Sequence, residues 1–183
     1  MIKLIQALDD RILNALYAHR SLNGSYIFIA ISQAGEWYVI LGFGAALTLW
    51  LAMRERFAYA AGIILAIATS GIGTFLLKSA IARPRPPQSY WAYTETWYSF
   101  PSAHAAMSLA FFGLLAWMVW RSGVSRMARI AVMAATVVLI VAIDFSRLYL
   151  GVHYFSDVVG GSVLGALCLY LSIWFIRSYT DKT

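Results

Sequence analysis

The sequence predicts an all-α fold: a polytopic membrane helix bundle of about six transmembrane helices, forming one domain over residues 1–183. Two features of composition and one of pattern predict it. Apolar residues make up 61% of the chain and charged residues 12%, against about 45–50% and about 25% in soluble domains. Mean hydropathy is +0.71. The charges fall almost wholly between apolar runs, most of them close to the roughly 20 residues a helix needs to cross the hydrocarbon. A water-soluble monomer is excluded.

Residues 1–20 read as a short amphipathic segment, with Leu4, Ile5, Leu8, Ile12 and Leu13 beside Asp9, Asp10 and Arg11. The segment lacks a long apolar core and a small-residue cleavage site, so no removable signal peptide is expected. Ser21–Gly35 is a weaker apolar run, read as a first span or an interfacial helix. The other five spans are the uncharged runs Trp37–Met53, Phe57–Leu77, Ala105–Trp120, Ile130–Ile143 and Val158–Ile176. All four prolines (Pro84, Pro86, Pro87 and Pro101) lie between the third and fourth spans, which makes that stretch a loop. Its aromatics, among them Tyr90, Trp91, Tyr93 and Trp97, are expected to form an interfacial belt. A flap touching a lipid is the alternative. Gly161 and Gly165 have the spacing that lets membrane helices approach closely.

The net charge of +6 is explained by topology, and nucleic acid is not expected as a partner. Six spans with both termini cytoplasmic put ten of the fourteen basic residues on the cytoplasmic side: Lys3, Arg11, Arg20, Arg54, Arg56, Arg121, Arg126, Arg129, Arg177 and Lys182. The exceptions are Lys78, Arg83, Arg85 and Arg147. Cys168, the single cysteine, lies in an apolar run and has no intrachain disulfide partner.

Those exceptions fall in two active-site segments, 78–104 and 146–157, which the topology brings to one membrane face. Lys78, Arg85 and Arg147 suit a phosphate ester, the arginines through bidentate hydrogen bonds. The Ser102 hydroxyl and the free N–H groups that open the following helix add donors. His153 and Asp157 are four apart. On one helical face the carboxylate holds one ring nitrogen protonated and leaves the other free to attack phosphorus. His104, from another helix, is placed to protonate the leaving oxygen and then activate water. Arg83 is read as an interface anchor and Asp144 as a local ion-pair partner of Arg147. Glu36, Glu95 and His19 receive no role. A metal held by His104, His153 and Asp157 is disfavoured, because three nearby cations repel it.

The segments read Lys78-x6-Arg85-Pro86, Pro101-Ser102-Ala103-His104 and Ser146-Arg147-x5-His153-x3-Asp157. Together they resemble the type 2 phosphatidic acid phosphatase family, whose signature is Kx6RP, PSGH and SRx5Hx3D. Ala103 departs from the usual glycine, with a modest effect expected. The resemblance implies that Lys78, Arg85, Ser102 and Arg147 bind phosphate, with His153 the nucleophile. It further implies that Asp157 orients His153, that His104 is the acid and base, and that no metal cofactor is needed. It implies a bacterial inner-membrane enzyme acting on a lipid phosphate or pyrophosphate at the periplasmic or extracellular side. Undecaprenyl pyrophosphate is the leading substrate, ahead of phosphatidylglycerol phosphate, phosphatidic acid and lipid A phosphate. A lipid phosphotransferase and a non-catalytic carrier of anionic lipids are the competing readings, and oligomeric state stays open.

Overall fold

The computed structural model describes residues 2–181, so Lys182 lies outside the described residues. The described residues form seven α-helices: α1 (Ile2–Ala18), α2 (Leu22–Gln33), α3 (Trp37–Met53), α4 (Phe57–Ile81), α5 (Ala103–Arg121), α6 (Arg126–Tyr149) and α7 (Phe155–Thr180). One short 3-10 turn, Gln88–Tyr90, interrupts the loop between α4 and α5. The expected all-α membrane bundle is what the chain forms. Among the described residues five segments are long and apolar enough to cross a membrane, with α2 and α3 counted as one, Leu22–Met53.

The bundle is organised around α5, which packs on α7, α6, α4 and α3. Its inward residues Ala105, Ala106, Ala110, Phe111 and Leu114 are all at most 1% exposed. Opposite them, α7 carries the two glycines at close-packing spacing. A Cβ at Gly165 would sit 2.5 Å from the Ala106 carbonyl oxygen, and one at Gly161 would meet the Ser102 carbonyl and lie 2.9 Å from the Ala105 Cβ. Only glycine admits this approach. It lets the Ser102 N–H donate to the Asp157 carbonyl at 2.9 Å, joining the start of α5 to the start of α7. Outward-facing Phe43, Leu49, Ile64, Val138 and Leu167 are exposed, as lipid-facing residues are.

At the N-terminal end, α2 and α3 together make up one candidate span. With 12 residues α2 is about 18 Å long, too short for a hydrocarbon core of about 30 Å. It packs on α6, whereas α3 packs on α4 and α5, so the two do not form an antiparallel hairpin. Gly24 lies against Tyr149 and Gly35 against Ile143, so α2 slants across one end of α6. That is the end where α4 stops and α5 and α7 begin. At this same end α1 is tied down: Asn14 accepts from the Tyr90 hydroxyl at 2.7 Å, and Arg20 donates to the Tyr90 carbonyl at 2.5 Å. The C-terminal end of α7 lies at the opposite end, where Asp181 pairs with Arg121 at 3.0 Å. Thus α1 and the C-terminal end of α7 sit at opposite ends of the bundle.

Candidate active site

Each site segment is held at a helix end by local chemistry. Ala82 ends α4 in the left-handed region (φ 48°), and its N–H donates to the Lys78 carbonyl. The chain then turns through Arg83–Pro87, where proline prevents further helix. Ser102 caps α5, its hydroxyl accepting from the Ala105 N–H at 3.5 Å. The turn before His153 needs Gly151, which has φ 72° and lies so close to the Tyr90 carbonyl that no Cβ fits.

These ends enclose a cavity of about 570 Å³ whose polar wall is Lys78, Arg85, His104, Arg147, His153, Glu36 and Glu95. Arg147 is fully buried and donates to Ser32 Oγ at 2.5 Å, to the Tyr93 hydroxyl and to Glu95 Oε1. Arg85 donates to the carbonyls of Thr96, Trp97 and Val152 and pairs with Glu95 at 3.3 Å. Lys78 donates to the Tyr98 and Ser99 carbonyls. Burial opposes ionisation of Glu95, but Arg147 and Arg85 outweigh it and hold its carboxyl down at about 2. Burial also pushes the Tyr93 hydroxyl up to about 12, so it stays a neutral donor.

Arg85 Nη1 lies 3.1 Å from His153 Nε2. A guanidinium has only donors, so this contact requires a lone pair on Nε2 and places the proton on Nδ1. Nδ1 in turn lies 3.4 Å from Asp157 Oδ2. Burial, with Arg85, Arg147 and Lys78, holds the His153 imidazole well below its usual value, so it is neutral at pH 7. Across the cavity, His104 Nε2 is buried 3.3 Å from Glu36 Oε1. Arg147 Nε and His153 Nδ1 are also buried without a formed hydrogen bond. Three cations, two of them partly balanced by Glu95, thus line one cavity beside His104 and His153, an arrangement whose donors suit an anion.

All the residues singled out in the sequence lie at this end of the bundle, with several revisions. Ser102 is fully buried and does not line the cavity, which Ala103 and His104 reach instead. Ala103 opens α5 in a helical conformation, so its methyl group is accommodated where glycine is usual. Arg83 is no interface anchor: it bridges Asp9 and Asp157. Asp9 is 1% exposed, not part of a solvated face. Asp144 accepts from Ser162 at 3.0 Å and has no ion pair with Arg147. Glu95, given no role, balances two arginines, and the aromatic loop holding it forms part of the site. Counting charge in the loop, where Glu95 is the lone acid beside Arg83 and Arg85, is the signal that was available. Among the described residues no cluster of three or more His, Cys, Asp or Glu is placed to hold a metal.

The pattern of the PAP2 superfamily matches residues 59–181 of this chain, which include all three motifs. The chain belongs to the PAP2 superfamily. Among PAP2-related proteins it is 30% identical over 122 residues to phosphatidylglycerophosphatase B of Bacillus subtilis, covering 66% of this chain and 57% of that protein. It is 34% identical over 132 residues to decaprenylphosphoryl-5-phosphoribose phosphatase of Mycobacterium tuberculosis, covering 70% and 66%. The crystal structure of a transmembrane PAP2-type phosphatidylglycerolphosphate phosphatase from Bacillus subtilis has the same fold, with a TM-score of 0.89 and 24% identity over 98% of this chain and 90% of that one. The chain thus spans little more than half the length of the first of these curated relatives.

Proposed function

We propose that this protein is a metal-independent membrane phosphatase that removes a terminal phosphate from a lipid through a phosphohistidine intermediate. The observation that carries the reading is the His153 Nε2 lone pair, aimed at the cluster of Lys78, Arg85 and Arg147. In this mechanism the three cations neutralise the phosphoryl oxygens, and the N-terminus of α5 adds backbone donors. His153 Nε2 attacks phosphorus while the bond to the lipid oxygen breaks, and His104 gives that oxygen a proton. A water then loses a proton to His104 and attacks the phosphohistidine, releasing inorganic phosphate and restoring Nε2. Asp157 steadies the imidazole during the attack.

Lipid is the substrate class because the cavity continues between α3 and α4 along Leu41, Ile67, Ala68 and Ile72. A second apolar groove of about 540 Å³ shares Leu41, Ile67 and Ala68 and runs on past Gly44, Thr48 and Leu49. One chain bound there keeps its tail in hydrocarbon and its phosphate on the cations. The relatives named above act on phosphorylated lipids of different backbones. That supports a lipid phosphate generally and leaves undecaprenyl pyrophosphate as one member of the panel beside phosphatidylglycerol phosphate and phosphatidic acid. Arg54, Arg56, Arg121, Arg126, Arg129 and Arg177 lie in or beside the connections at the end away from the site, so we place that end in the cytoplasm of a bacterial plasma membrane and the site outside.

The test is phosphate release from that panel in detergent with chelator present, for wild type and His153→Ala. Release by wild type alone supports the reading. Lipid binding without release by any panel member would favour the carrier.

A further inference from the structure

The polar cluster behind His153 reaches into α1, a helix outside all three motifs. Asp9 is 1% exposed although it lies on a helix whose Leu4, Ile5, Leu8 and Tyr17 are all exposed. Its Oδ2 accepts from Arg83 Nη2 at 2.8 Å and from Ser156 Oγ at 2.5 Å, and its Oδ1 accepts from the Ser156 N–H at 2.8 Å. That N–H is one of the free donors of the first turn of α7, so Asp9 caps α7 from another helix. The other arm of Arg83 donates to Asp157 Oδ1 at 2.6 Å and to Ser156 Oγ at 2.7 Å. Tyr154 N–H holds Asp157 Oδ2 at 2.9 Å, and the Arg83 guanidinium stacks on the Tyr154 ring at 4.4 Å.

We propose that Asp9 and Arg83 are positioning residues for the His153–Asp157 pair, and that α1 is thereby a working part of the site. A carboxylate has two oxygens, and its rotation decides which of them faces the imidazole. Arg83 takes Oδ1 and turns Oδ2 to the His153 side. Arg83 alone would be free to swing, since its side chain is 24% exposed. Asp9 takes the second arm and fixes the fork. Leu4, Ile5 and Leu8 leave an exposed apolar face on α1, so seating that face in a membrane interface would seat Asp9. The proposal rests on the reading of His153 as nucleophile.

The experiment compares wild type, Asp9→Asn, Asp9→Glu, Arg83→Lys and the exposed neighbour Asp10→Asn in detergent. Two readouts are taken: lipid phosphatase kinetics, and the ring-nitrogen shifts of His153 in protein labelled with 15N-histidine, which has three histidines to assign. In Asp9→Asn and Arg83→Lys, kcat should fall about 10- to 100-fold with KM within about threefold. The Nδ1–H tautomer of His153 should lose population in both. Asp9→Glu should recover part of both signals, and Asp10→Asn should match wild type. Loss of kcat in step with vanadate binding and melting temperature, with the tautomer unchanged, would show a merely structural contact and overturn the proposal. So would an unaltered kcat. The tautomer readout needs no substrate: a shifted tautomer in a protein inactive on every lipid keeps the positioning role while the phosphatase reading falls. An active wild type with unaltered variants does the reverse. If Asp9→Asn does not fold, Arg83→Lys and Asp9→Glu decide the matter by the same two signals.

Discussion

Glu95 and Arg147 meet as an ion pair inside the cavity, with the carboxylate of one on the guanidinium of the other and Arg85 on its far side. Glu95 thus takes up donors that a phosphate needs. The loop from Tyr93 to Ser99 does the same through its carbonyls, which accept from Arg85 and Lys78. In the proposed mechanism, substrate binding exchanges an internal carboxylate for a phosphate of higher charge.

Replacing Glu95 with glutamine removes that competitor and leaves two arginines unbalanced. Inhibition by vanadate or inorganic phosphate should tighten about tenfold, or ~1.4 kcal/mol. The melting temperature should fall, because buried like charges repel. Weaker anion binding in the variant would show that Glu95 helps to organise the phosphate site.

His153 and His104 should separate by leaving group. His153→Ala should release no phosphate from any substrate. His104→Ala should lose about 10²–10⁴-fold in turnover on a lipid phosphate, whose alkoxide needs a proton. The deficit should shrink at the phosphorylation step with p-nitrophenyl phosphate, whose leaving group needs none. Equal losses on both would remove the acid role from His104.

The pH profile follows from the low His153 basicity. Burial first, then Arg85, Arg147 and Lys78, depress it, while Glu95 opposes them. The folded protein keeps Nε2 unprotonated below the free-imidazole value near 6.5, so the acid limb of kcat/KM assigned to His153 should fall below that pH. In the unfolded chain this histidine takes up a proton as pH drops through about 6.5, while in the fold it does not. Its contribution to stability is therefore full above that value and declines as pH falls toward the folded value. Lys78→Gln removes one repelling charge and should move the acid limb upward. A limb at or above 6.5 in wild type would contradict the electrostatic account.

Ser102→Ala tests whether the residue that caps α5 also contacts phosphate. Its hydroxyl caps α5 and lies off the cavity wall, so the loss should be about 1 kcal/mol of stability with kcat/KM within a few-fold. A hundredfold fall in kcat/KM at unchanged stability would restore the direct phosphate contact.

Glycine substitutions should sort by what a Cβ meets. Gly161→Ala drives a methyl group into the Ser102 carbonyl and Ala105, and should cost about 1–3 kcal/mol. Gly42 has open space around it, so Gly42→Ala should leave the melting temperature unchanged or raised. Thermal unfolding in one detergent compares them.

Much of this protein was legible in the chain itself. Apolar runs of spanning length allow few structures other than membrane helices, since backbone N–H and C=O groups in lipid must bond within the segment. Lys78, Arg85, His104, Arg147, His153 and Asp157 stood out because such groups are costly near a membrane and were gathered in two segments. Gly161 and Gly165 announced close packing by spacing alone. The positions of α1 and α2 were not legible, because an amphipathic stretch and a weak apolar run carry no information about depth or partner. The roles of Asp9, Arg83 and Glu95 depend on contacts across 74, 74 and 52 residues of sequence, from Asp9 to Arg83, Arg83 to Asp157 and Glu95 to Arg147. An ion pair is set by distance in space, and only the packed bundle brings these charges within reach of one another.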